Sequence, residues 1–91
     1  MKRYMIERLI PKVGEMGAEE LKGAASASCA ALDKLAPRIQ WQHSYVAGNK
    51  TFCIYLAEDE SAIRDHAEGS GFPVDVITEI PTIIDPITSQ A

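Results

Sequence analysis

Arg38-Ile39-Gln40-Trp41-Gln42-His43-Ser44-Tyr45-Val46, the turn Ala47-Gly48-Asn49-Lys50, and Thr51-Phe52-Cys53-Ile54-Tyr55 decide how this chain folds. Two runs rich in β-branched and aromatic residues, joined at Gly48-Asn49, specify an antiparallel hairpin. The segment holds the only Trp, one of two His, one of two Cys and two of three Tyr. Side chains able to bind a metal or a ligand are therefore concentrated in a small part of the chain. No complete catalytic motif accompanies them.

On the N-terminal side, Lys2 to Ile10 reads as a strand that ends at Pro11. Its alternation puts Tyr4, Ile6 and Ile10 on one face and Met5, Glu7 and Leu9 on the other. A loop over Pro11 to Gly17 leads into a helix from Ala18, where Leu21, Ala25, Ser28, Leu32 and Leu35 recur at helical spacing. Cys29 is expected in that helix's core stripe. Glu19 and Glu20 suit the first turn and Lys34 the last, and Pro37 stops the helix. Beyond the hairpin, Asp59 caps a second helix that runs to about Gly69 or Gly71, with Ala62, Ile63, His66 and Ala67 on its apolar side. Val74 to Ile84 reads as a final strand, interrupted by Pro81, and a polar tail begins near residue 86.

The order β-α-β-β-α-β is the split βαβ, ferredoxin-like arrangement of an α+β fold. Both helices then cover one face of a four-stranded antiparallel sheet, in a single domain over residues 1–91. The other face is left open. In so small a chain an open apolar sheet face meets a partner, most simply a second copy, so a homodimer is expected.

Composition narrows the function. A net charge of −4 and a pI near 5.0 leave no basic stripe for nucleic acid. No stretch has the length and apolarity to span a bilayer, and no signal-peptide pattern follows Met1-Lys2-Arg3. Two cysteines, Cys29 and Cys53, are too few for a disulfide framework. A reducing cytoplasm is the expected compartment.

Face assignments follow from alternation. Phe52, Ile54 and Leu56 are uniformly apolar and are expected under the helices, which turns Thr51, Cys53 and Tyr55 to the open side. Tyr4 and Ile6 join the core, while Glu7 and Glu79 point outward. The hairpin register leaves two arrangements for the second strand. A two- or four-residue loop puts Ser44 opposite Cys53 and sends Trp41, His43 and Tyr45 to the core. A three-residue loop puts His43 opposite Tyr55 and Tyr45 opposite Cys53, all on the open side. The second is preferred, because Trp, His and Tyr bury their apolar bodies well at an interface and keep a polar end satisfied.

Several blocks resemble one family: Tyr4 with Glu7-Arg8, Trp41-x-His43-Ser44-Tyr45-Val46, Lys50-x-x-Cys53-x-Tyr55, Glu60-x-x-Ile63-x-x-His66-Ala67, Gly71-x-Pro73, Ile77-x-Glu79 and Ile84-Asp85-Pro86. It is a bacterial "domain of unknown function" family of small ferredoxin-like proteins that includes nickel-binding members. The resemblance covers nearly the whole chain. It implies a βαββαβ fold, a homodimer and, in some members, nickel near the dimer interface. It implies no enzymatic activity.

The metal reading takes His43, Cys53, His66 and Glu79 as ligands to nickel or zinc, with imidazole and thiolate as the softer donors. No organic cofactor is implied. Under the three-residue-loop register His43 could also serve as a base for the Cys53 thiol. His66, near a helix C-terminus, is expected to favour imidazolium. A second reading places a small molecule between the open sheet and its partner, against Trp41, Tyr45, Tyr55 and Glu7. That is the mode of cofactor-independent dimeric α+β barrel enzymes. A third is a dimer with no ligand.

Overall fold

The computed structural model describes Met1 to Gln90. The elements are β1 (Lys2–Leu9), α1 (Ala18–Leu35), β2 (Ile39–Ala47), β3 (Lys50–Ala57), α2 (Glu60–Ser70) and β4 (Val76–Ile80). All strand pairs are antiparallel, in the order β2-β3-β1-β4. This is the ferredoxin-like architecture that the order of elements specifies.

Local chemistry accounts for the boundaries. α1 begins after Gly17, which offers no side-chain cap, with Glu19 and Glu20 in its first turn. It stops at Leu35, one residue short of the residue that precedes Pro37. α2 starts where the Asp59 carboxylate accepts the Ala62 amide at 3.1 Å, and it ends at Gly71 in the left-handed region, φ 77°. β4 is shorter than the expected Val74 to Ile84. It ends at Ile80 because Pro81 has no amide to give the ladder. The loop after β1 contains a single 3-10 turn, Val13–Glu15, which docks on the hairpin turn. Gly14 donates its amide to the Gly48 carbonyl at 2.7 Å, and Lys12 donates to Asn49 Oδ1 at 2.8 Å.

The core lies between the helices and one sheet face. Tyr4, Ile6, Ile39, Cys53, Tyr55 and Ala57 meet Ala62 and Ile63 of α2 there, with Leu32 and Leu35 of α1 packed alongside. Face assignment on β3 is therefore the reverse of the expectation. Tyr4 pairs with Tyr55 and Ile6 with Cys53, and directly paired residues share a face. Thr51, Cys53 and Tyr55 lie under the helices, and Phe52, Ile54 and Leu56 lie on the uncovered side. The uniformly apolar set was misleading because the uncovered face is itself apolar. Cys29 also departs from expectation. It points out of α1 and is exposed, one position past the buried Ser28.

The hairpin closes with the two-residue turn Gly48-Asn49, so Ser44 does face Cys53. A bulge at Gln42 then shifts the register, and Trp41 pairs with Tyr55 while His43 pairs with Ile54. One extra residue thus places Trp41 on the covered face and His43 and Tyr45 on the uncovered one. Neither regular register produces that combination.

Candidate functional site

The sheet separates the candidate residues into two groups. On the covered side stand Trp41, Cys53, Tyr55 and His66; on the uncovered side stand His43, Tyr45 and Glu7. His43 and Cys53 therefore lie on opposite faces and cannot share one ion or act as a base–thiol pair within one chain. Glu79 pairs with Tyr4 and so takes the covered side rather than the outward one, at the exposed edge, 3.9 Å from Lys2 Nζ. Among the described residues no three of His, Cys, Asp and Glu converge as a metal site. The proposed set of His43, Cys53, His66 and Glu79 does not fit a metal ion in one chain.

The covered side holds a buried polar cluster. His66 is 0% exposed and Tyr55 1%. The His66 Nε2 lies 3.1 Å from both Ser28 Oγ and Tyr55 Oη, while its Nδ1 has no partner. Burial, reinforced by the positive Arg8, holds the imidazole down to about 4. His66 is a neutral ring at physiological pH, the opposite of the expected imidazolium, because burial outweighs the dipole of a short helix. Burial also raises the Tyr55 phenol, with Arg8 opposing it.

Arg8 is the residue that sequence reasoning missed. Its side chain is 3% exposed, and its Nε and Nη2 are buried without a hydrogen-bond partner. The guanidinium carbon lies 5.8 Å from the Tyr55 ring centroid and 5.9 Å from that of Phe72. Such contacts are worth about 2 kcal/mol when desolvated, whereas burying an unpaired ion costs several. The signal was present in the alternation, since Arg8 continues the Tyr4, Ile6 phase onto the covered face.

Arg8 borders a cavity of about 280 Å³ between α1 and the sheet. Val13, Leu21, Ala25 and Trp41 form much of its apolar wall, with Ser28 and Thr51 adding hydroxyls. Trp41 and Tyr55 line this cavity, whereas Tyr45 and Glu7, expected beside them, are on the other face.

The uncovered side is chemically distinct. The His43 Nε2 lies 3.1 Å from the exposed Tyr45 hydroxyl, and their rings meet edge to face. Glu7 pairs with Lys50 at 3.6 Å. Phe52, Ile54, Leu56 and Met5 supply the apolar ground around them.

Comparison with known proteins supplies the remaining evidence. A family profile described as "Nickel responsive protein SCO4226-like" matches residues 4–80. The crystal structure of SCO4226 from Streptomyces coelicolor A3(2) superposes with a TM-score of 0.71 at 20% identity, over 90% of this chain and 99% of the other. At that identity the likeness supports the fold alone. No functionally curated protein matches the chain.

Proposed function

The chain belongs to the nickel responsive SCO4226-like family, and from that premise we propose that it is a non-catalytic divalent-metal-binding protein acting as a homodimer. In this reading, nickel is held where the uncovered sheet faces of two copies meet, with His43 of each copy as the nitrogen donors. Glu7 and water are the oxygen donors on that face. The observation that carries the reading is His43 itself, an exposed imidazole beside the apolar Ile54 and Phe52 on the uncovered sheet face. One chain has too few converging donors, and imidazole with carboxylate suits nickel.

The dimer has a physical motive. Tyr45 and Val76 are exposed on the uncovered face, and Ile83, Ile84 and Ile87 beyond β4 are exposed as well. A cytoplasmic setting is part of the proposal and is supported by two free cysteines.

Calorimetric titration of nickel and zinc into chelator-treated protein tests the reading. Nickel binding is expected in the unmodified chain, to be lost in His43→Ala and kept in Cys53→Ala. Absence of binding above buffer level, or binding unaffected by His43→Ala, overturns it.

A further inference from the structure

We propose that the cavity beneath α1 receives a small apolar monocarboxylate, its head group paired with Arg8 and its tail against the helix. The site lies across the sheet from His43 and does not depend on the metal reading.

Three observations carry it. Arg8 is permanently charged, buried, and has two nitrogens without partners. The chain's ion pairs among the described residues use Lys2, Arg38, Lys50 and Arg64, so no carboxylate among those residues pairs with it. Arg8 lines a cavity of about 280 Å³ whose walls are mainly apolar. A single guanidinium matches one carboxylate in paired, parallel hydrogen bonds. A phosphate dianion would remain half-neutralised there. Val13, Leu21, Ala25 and Trp41 suit a hydrocarbon or aromatic tail and disfavour a polar one. Ser28 and Thr51 add hydroxyls to the lining.

Trp41 lines the cavity and is the only Trp, so its emission reports occupancy. The metal-free full chain is titrated with octanoate, octanamide and inorganic phosphate. Octanoate is expected to shift the emission and raise Tm. Octanamide should bind at least about tenfold more weakly, since it cannot form the charged pair, and phosphate should have no effect. Arg8→Met should weaken octanoate by a similar factor. Ala25→Phe, which fills the cavity and leaves Arg8 in place, should abolish binding and decides the matter if Arg8→Met fails to fold. Octanoate that does not bind at millimolar concentration, binds no better than its amide, or is unaffected by Ala25→Phe overturns the proposal. Working without metal separates this outcome from that of the nickel titration.

Discussion

Arg8, His66 and Tyr55 show how residues of ordinary type acquire unusual properties through placement. Neutral His66 binds no proton in the folded chain until about pH 4, whereas unfolded His titrates near 6.5. The unfolded state therefore takes up protons first. This contribution to stability is fully present above about pH 6.5 and is lost as pH falls toward 4, by roughly 2–4 kcal/mol. Urea unfolding at pH 7.5 and pH 5 should show about 2 kcal/mol of that loss, and His66→Phe should flatten the difference. Thiol chemistry supplies a second check. Cys29 is exposed and Cys53 buried, so Ellman's reagent should modify one thiol quickly in the native protein and the second only on unfolding. The Asp59 cap and the buried stripe of Ala62, Ile63, His66 and Ala67 could be read from spacing alone. Arg8 shares the alternation of Tyr4 and Ile6, but its charge argues against the covered face, because charged side chains are rarely buried without a partner.

The hairpin and the loop before α1 act as one element. A methyl group on Gly14 would meet the Gly48 amide nitrogen and carbonyl oxygen at 2.9 Å. Both are backbone atoms that cannot swing aside, and the contact also carries the Gly14–Gly48 hydrogen bond. Gly14→Ala should therefore cost about 1–3 kcal/mol in denaturant unfolding, in line with other overpacked sites. The Gln42 bulge is different. Trp41 pairs with Tyr55 and His43 with Ile54 on either side of it, so deleting Gln42 leaves both pairings and both faces unchanged. Such a deletion should unfold within about 1 kcal/mol of the parent and keep any His43-dependent binding. The existence of the hairpin was legible in Gly48-Asn49. Its register was not, because a bulge is one extra residue with no sequence mark of its own. The face of β3 was also hidden, since Phe52, Ile54 and Leu56 are as apolar as a buried set.

For the whole molecule, the sheet is a divider with two different surfaces. One side is covered by α1 and α2, with a cavity bordered by the buried Arg8; the other displays His43 and Tyr45 on apolar ground. The order of elements was enough to specify this architecture. Which chemistry fell on which side was decided by strand pairing, which composition and spacing did not fix. Ile84 and Ile87 are 78% and 74% exposed, and full burial of such a side chain contributes about 1.5–3 kcal/mol. Replacing both by Asp should shift sedimentation toward a single chain, with the far-ultraviolet circular dichroism unchanged. Native mass spectrometry of chelator-treated protein after addition of nickel tests the central claim most directly. The expected spectrum shows a dimer carrying nickel, and for His43→Ala no nickel-bound species. Nickel held by a monomer, or an equal metal load in the variant, would contradict it.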